Sequence, residues 1–520
     1  MRRRVIESGS TDEPPLHPST PAPRERHIAL NALLLIFIFN FTFQPLTEPD
    51  FGWHLRTGLD LLRHGWSLPA SDPYSHTMPD WPWVEHAWLT DAVIGAVHGS
   101  WMGGLGVILL FGAVAAGAWL IASSLAPVHR PYRRLACALS LWVALPYLGA
   151  RTQLISLLGF AVLLYVLSRR ERKSWWWIPP LFLLWANLHG GFTMGLFFLI
   201  LLILATWIVQ RICACWATMA SRLDEALLSR SDLKRLVLLT GTSAAMTLVN
   251  PYGWRLHGEI LDSLANQFML EGLQEWQPLS LATGGGRSYA VYLAMLAASM
   301  CFCYRRIEPV RWLLWGVFLW LSLRHMRNIP IFLIISLPLC AELLAAAFDQ
   351  LSSLVPSGHA AARRWMAAAT LGAALLLLWL GPEHLHHVVQ SGTEPARYFK
   401  GTSYPIEAVE WIESHRDQAG TRLYNDYAYG GFLLWWLPAE KIFIDGRMPA
   451  WRIGERRIFE DYVALTATDP PALSVLDKYS VDWALVRRDS PLDRALERES
   501  RWALIYGDEK VSIYVRSPGS

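Results

Sequence analysis

Between residues 48 and 86 the chain gathers carboxylates, imidazoles and indoles: Glu48-Pro-Asp50-Phe-Gly-Trp53-His54, then Ser71-Asp72-Pro-Tyr74-Ser-His76, then Trp83-Val-Glu85-His86. Glu48, Asp50 and Glu85, with His54 and His86, offer two kinds of chemistry: ligands for a divalent metal cation, and a general base for a hydroxyl proton. Asp50, Glu85 and His86 form the expected metal set. Further along, Arg151, Arg324 and Arg327 supply fixed positive charge, and a guanidinium binds phosphate through paired N–H donors. Acid on one wall and arginine on another suit transfer from a phosphate leaving group. Charge growing on the departing phosphate is stabilised by Arg or a metal while a carboxylate deprotonates the acceptor. Structural roles compete for two of these residues. Asp50 is a good N-cap for a helix starting at Phe51, and Asp72-Pro-Tyr-Ser has the chemistry of a turn.

Composition says that the elements positioning these groups cross a membrane. The chain is 53% apolar and 17% charged, wrong for a soluble enzyme of this length. A net charge of +3 is too small to indicate nucleic acid as a partner. The six cysteines lie in or beside apolar runs, which excludes a disulfide framework. Cys213-Ala-Cys215 has no second ligand pair at zinc spacing and reads as structural. Residues 1–27, rich in Pro, Ser, Thr and Arg, read as a disordered cytoplasmic tail with no apolar core before Ile28.

Apolar runs fall near 28–46, 103–125, 135–149, 152–168, 175–188, 191–210, 236–250, 287–304, 311–323, 328–348 and 366–381. The expectation is an α-helical polytopic membrane protein of about 11 spans over 28–381. Basic clusters at Arg2-Arg3-Arg4, Arg133-Arg134, Arg169-Arg170, Lys234-Arg235, Arg305-Arg306 and Arg363-Arg364 then share one side, which the positive-inside rule makes cytoplasmic. The first loop, 47–101, and the region after 381 lie outside the plasma (inner) membrane in this reading. Ala87–Ser100, holding Asp91 and His98, reads as an amphipathic helix on the outer surface.

This orientation used only Lys and Arg runs, yet it places the other unusual polar residues on the same outer face as Asp50. They are Arg151, Asn187, His189, Asn250, Tyr252, Glu275, Arg324 and Arg327. Polar groups near membrane depth cost several kcal/mol unless paired or wet. Asn187, His189 and Asn250 are too short to snorkel far, so with Tyr252 they are expected to line a water-filled cleft opening outward.

Residues 382–520 alternate strand and helix signals and read as a small extracytoplasmic α/β domain. Pro405 begins a helix; Arg422–Tyr424, Lys441–Ile444, Trp483–Val486 and Val511–Val515 read as strands. Asp426 and Tyr427 stand at a strand-to-helix turn before Gly430-Gly431, where backbone can approach an anion. Asp445 and Arg447 flank Gly446 at the end of the next strand. Either Asp426 and Arg447 touch acceptor or donor, or they form an ordinary Asp–Arg pair among turn glycines. His384, His386 and His387 read as linker.

Asp50 just after the first span, with Glu85 in a loop of two surface helices, resembles the first extracytoplasmic loop of the GT-C superfamily of integral membrane glycosyltransferases. The phrases EPDFGWHLRTG, ARTQL, LLWANLHGGF, NPYGW, QEWQP, RNIPIF and NDYAYGGFLLWW resemble a bacterial group of GT-C proteins over nearly the full length. Asp426-Tyr427 with the following Gly430 is similar to part of the Trp-Trp-Asp-Tyr-Gly acceptor motif of the oligosaccharyltransferase catalytic subunit. The resemblance implies a polyprenyl-phosphate or polyprenyl-pyrophosphate sugar as donor and a glycan, lipid or protein as acceptor. It makes Asp50 base or metal ligand, Glu85 its partner, and Arg324 or Arg327 the phosphate clamp. Where relatives carry Asp-Glu, this chain has Asp50-Phe51, so a second acid must come from Glu48 or Glu85. A transporter of lipid-linked sugars and a non-catalytic envelope assembly or sensing protein are the alternatives. Transporters usually show internal repeats, and none is visible here.

Overall fold

Glycines decide how the first loop folds. In a computed structural model the described residues are 26–169, 171–215, 228–303, 308–353, 372 and 381–517. The expected tail 1–27 and span 366–381 therefore lie, but for a few residues, outside them. Helix α1 (Arg26–Thr42) leads into the loop, which contains α2 (Phe51–Arg63) and α3 (Trp88–His98). In α2, Phe51, Leu55 and Gly58 recur at helical spacing and are buried, while Arg56 and Asp60 pair at 2.8 Å on the opposite side. Gly58 and Gly95 meet where α2 crosses α3, so closely that a Cβ on Gly58 would run into the Asp91 carbonyl. Gly58→Ala is thus expected to cost about 1–3 kcal/mol by forcing these helices apart, measurable as a lower melting temperature. An unchanged melting temperature would contradict the crossing.

Helices α4 (Gly103–Ser124), α5 (Arg130–Ala144), α6 (Gln153–Ser168), α7 (Ile178–Leu188) and α8 (Phe192–Cys215) follow. Among the described residues, three helices are long and apolar enough to cross a membrane: Gly103–Ser124, Phe192–Cys213 and Met326–Gln350. Helix α6 is apolar but only 16 residues long, about 24 Å against a hydrocarbon core of about 30 Å. The other expected spans that fall within the described residues are helices too, at Arg26–Thr42, Arg130–Ala144, Ile178–Leu188, Arg230–Met246, Gly284–Cys303 and Pro309–Arg324, but shorter or more polar than that standard. Buried polar staples tie the bundle together. Trp119 donates to Ser140 at 2.9 Å, and Tyr289 meets Ser322 at 2.5 Å. The segment expected as a surface helix is α3, packed against α2, α4 and α7.

The carboxyl-terminal region builds a four-stranded sheet of order β1-β4-β6-β5 from β1 (Leu423–Asn425), β4 (Trp483–Arg487), β5 (Trp502–Gly507) and β6 (Val511–Arg516). A hairpin of β2 (Arg452–Ile453) and β3 (Arg456–Arg457) stands apart. β1 runs parallel to β4; the other pairings are antiparallel. Along β4, Trp483 and Leu485 join one apolar cluster while Ala484 and Val486 join the other. The sheet is therefore covered on both faces, as an α/β layer requires. Lys441–Ile444, expected as a strand, is instead met by the first loop: Ser75 bridges Ile442 in parallel, and Thr77 donates to the Phe443 carbonyl at 2.7 Å. Gly52 of α2 and Gly431 of helix Gly430–Trp436 touch backbone to backbone. First loop and carboxyl-terminal domain thus share one core, with Trp53, Tyr74 and Trp83 clustering with Phe432 and Leu433.

Candidate active site

Asp50 ends the loop's first stretch with φ −84° and ψ −13° just before α2, but its carboxylate does not cap the helix. It accepts a hydrogen bond from Trp53 Nε1 at 3.1 Å. A Cβ on Gly446 would collide with this carboxylate, so only glycine lets the 445–447 turn lie against it. Burial pushes the Asp50 carboxyl up; His54 and the Trp53 N–H oppose this, and the charges of Asp445 and Glu275 add to it. The group is a carboxylate of enhanced basicity at the junction of loop and domain.

Glu48, two residues earlier, pairs with Arg151. Burial nevertheless pushes its carboxyl up to about 7, with Arg151 pulling down and Asp50 pushing up. Because this value exceeds the ordinary one of 4.5, folding takes up a proton at intermediate pH. The stabilisation is complete below about pH 4.5 and is lost as pH rises through about 7. Relative to Glu48→Gln, the protein is therefore expected to lose roughly 3 kcal/mol of stability across that window. Parallel melting curves for the two proteins from pH 4.5 to 8 would contradict this.

One turn into α2, His54 faces α3. Its Nδ1 lies 2.6 Å from Asp91 Oδ1, and its Nε2 lies 3.3 Å from Thr152 Oγ1. Burial lowers His54 to about 4 and raises Asp91 well above its usual range, both shifts disfavouring the charged forms. Glu85, also buried and raised by burial, accepts from the Ala87 N–H at 2.9 Å. One ligand atom from each of His54, Glu85 and Asp91 lies within 4.8 Å of the others. This is where the structure departs from the expected set of Asp50, Glu85 and His86. Asp50 precedes the helix and turns to Trp53, and the His86 ring packs edge-on against His189 at 5.3 Å. Asp91 was visible in the sequence as an acid inside an apolar run. What gives it a partner is the Gly58–Gly95 crossing, which spacing along the chain does not reveal.

Arg447 is buried between Asp445, at 2.6 Å, and Asp72, at 3.0 Å, and is ringed by Trp53, Tyr74, Trp83 and Trp451 with centroids 5.2–5.8 Å away. The Asp–Arg pair is the form Arg447 takes. Asp72 does shape a turn, accepting from Ser75 N at 2.9 Å, and it also holds this guanidinium. Asp426 caps the following turn through Ala428 N at 3.1 Å and pairs with Arg487 at 2.9 Å, beside the rings of Tyr427 and Tyr462.

The residues expected to line an outward cleft divide. Asn187 accepts from Trp88 Nε1 at 3.1 Å and donates to Leu183 and Val249, pinning α3 to α7. Asn250 bonds its own turn, accepting from Tyr252 N at 2.8 Å and donating to Thr247. His189 Nδ1 takes the Gly191 N–H at 3.0 Å and meets Ser156 Oγ at 2.7 Å. Arg327 lies 4.4 Å over the Trp276 ring and 3.4 Å from Glu275, and its charge reaches His86. Arg324 is exposed at the end of helix Pro309–Arg324. His384 donates to the Phe43 carbonyl at 2.8 Å, in keeping with a linker role. A cleft of about 700 Å³ runs between Thr47 and Pro49 of the first loop and Tyr404, Tyr429, Arg487 and Arg488 of the domain.

No protein family matches the sequence, and no curated protein does. Structural neighbours are an oligosaccharyltransferase and ArnT. The apo oligosaccharyltransferase of Archaeoglobus fulgidus shares 11% identity at a TM-score of 0.49, over 95% of this chain and 75% of that one. The same archaeal enzyme, AglB, in complex with an inhibitory peptide and a dolichol-phosphate aligns at 0.48 and 11%, over 95% and 74%. ArnT from Cupriavidus metallidurans bound to undecaprenyl phosphate aligns at 0.41 and 16%, over 96% and 99%.

Proposed function

We propose that the chain is a membrane glycosyltransferase that moves a sugar from a polyprenyl-phosphate or pyrophosphate carrier to a glycan, lipid or protein acceptor. The first loop and the carboxyl-terminal domain would face the outside of the membrane and the amino terminus the cytoplasm. One observation carries the reading: Asp50, a carboxylate made more basic by burial, meets the Trp53 indole and the backbone of the 445–447 turn where first loop and domain close on each other. A carboxylate of raised basicity there is suited to take a hydroxyl proton. Glu275 connects this point to the span ends, since its charge acts on both Asp50 and Glu48 while its carboxylate pairs with Arg327.

In this mechanism the acceptor oxygen bonds to the anomeric carbon as the carbon–oxygen bond to the carrier phosphate breaks. The acceptor proton passes to Asp50, and the electron pair leaves on the phosphate. Arg327, whose one ion-pair partner among the described residues is a half-exposed Glu275, and Arg151 are the cations suited to receive that charge. The test is transfer from radiolabelled polyprenyl-phosphate sugars by purified protein, with Arg327→Gln expected to slow turnover about 10²–10³-fold. Full activity in that variant would remove Arg327 from the site.

A further inference from the structure

We propose that His54, Glu85 and Asp91 form a binding site for one divalent transition-metal ion, Zn²⁺ or Mn²⁺, held between α2 and α3 and separate from Asp50. Their ligand atoms converge within 4.8 Å, and the residues are 3%, 4% and 0% exposed. Asp91 supplies the independent sign of a ligand. Its Oδ1 meets His54, but its Oδ2 is buried with no hydrogen-bond partner among the described residues. Buried carboxylate oxygens left bare are costly. No Lys or Arg among the described residues pairs with either carboxylate: the ion-pair partners are His86 at 3.6 Å for Glu85 and His54 for Asp91. Arg447 acts on Asp91 only at a distance, its guanidinium being taken up by Asp72 and Asp445.

One imidazole nitrogen with two carboxylates is a donor set for zinc or manganese, and a poor one for calcium, which prefers six or more oxygens. The Ala87 N–H on Glu85 and the Thr152 hydroxyl beside His54 are the outer contacts that orient such ligands. The glycine crossing sets α2 directly against α3 and so brings His54 of one helix beside Asp91 of the other. The site stands independently of the transferase reading.

The experiment uses the full chain purified in detergent, stripped with chelator and titrated with Zn²⁺ or Mn²⁺ alone, following metal content, Mn²⁺ resonance and melting temperature. About one equivalent should bind and raise the melting temperature, with affinity at least tenfold weaker in Asp91→Asn and in Glu85→Gln, and unchanged in Asp50→Asn. Each isosteric variant keeps the side-chain volume, and either one alone decides if the other fails to fold. Wild-type protein that takes up neither metal would overturn the site, leaving shared protons as the counter-charge. So would binding that survives both substitutions, or binding that is lost in Asp50→Asn and kept in Asp91→Asn. Loss of transfer in Asp50→Asn with metal retained would separate this site from the base.

Discussion

Asp50→Asn is expected to lower turnover about 10²–10⁴-fold while leaving the melting temperature and the concentration dependence on carrier nearly unchanged. The amide keeps the shape and still accepts from Trp53 Nε1, which holds the carboxylate at 3.1 Å, but it cannot take a proton. Two neighbours sharpen the expectation. Glu48 is already engaged with Arg151, and Glu85 belongs to the His54–Asp91 cluster, so neither is free to substitute. A drop in turnover without loss of fold identifies a base; a matching drop in melting temperature would instead identify Asp50 as a structural member of the junction. Asp50→Glu offers a check, since it keeps the charge but lengthens the side chain toward the Gly446 backbone. It should recover part of the rate.

Arg447→Met is expected to be the most destabilising single change at the junction, about 3–5 kcal/mol. The guanidinium and its two carboxylates are 4% and 0% exposed, so its removal strands Asp72 and Asp445 as uncompensated buried charges. Lys at this position should rescue only in part, because it cannot present the fork that grips Asp445 through Nε and Nη2 together. Adding Asp72→Asn and Asp445→Asn to the Met variant should restore stability, since the penalty comes from unpaired charge and not from lost volume. Denaturant unfolding followed by tryptophan fluorescence measures each step. If the triple variant is no more stable than Arg447→Met, charge compensation is not what Arg447 provides.

The sequence was most legible where a local rule acts alone. Pro405 does precede helix Ile406–Ser414, and the apolar alternation of 483–486 and 511–515 does form the two central strands of the sheet. It was less legible where two distant segments complete each other. Lys441–Ile444 has the pattern of a strand, yet its partner is the first loop, more than 350 residues away. β5 was not anticipated because Trp502–Gly507 alternates weakly, with Ala503 and Leu504 both exposed.

In the candidate site, polar type and the expected membrane side single out Asp50, Glu48 and Glu85, but local pattern does not tell a staple from a reactive group. Asn187 and Asn250 read as cleft residues because they stand at the ends of apolar runs; their amides are occupied by backbone groups. Asp91 reads from local pattern only as a polar residue of a surface helix, because its partner His54 stands 37 residues away across a helix crossing. Arg447 was found as a residue, but its partner Asp72 reads as a turn from local pattern, and it serves as both.

The central claim is that this chain breaks the bond between a sugar and its carrier phosphate and makes a new one. The measurement closest to it uses proteoliposomes containing a polyprenyl-phosphate sugar labelled differently in sugar and phosphate, with both labels followed in wild-type and Asp50→Asn protein. The account predicts one carrier phosphate freed of sugar for each sugar joined to an acceptor, with both signals falling together in the variant. Carrier that crosses the bilayer with its sugar still attached, at equal rates in the two proteins, would contradict it.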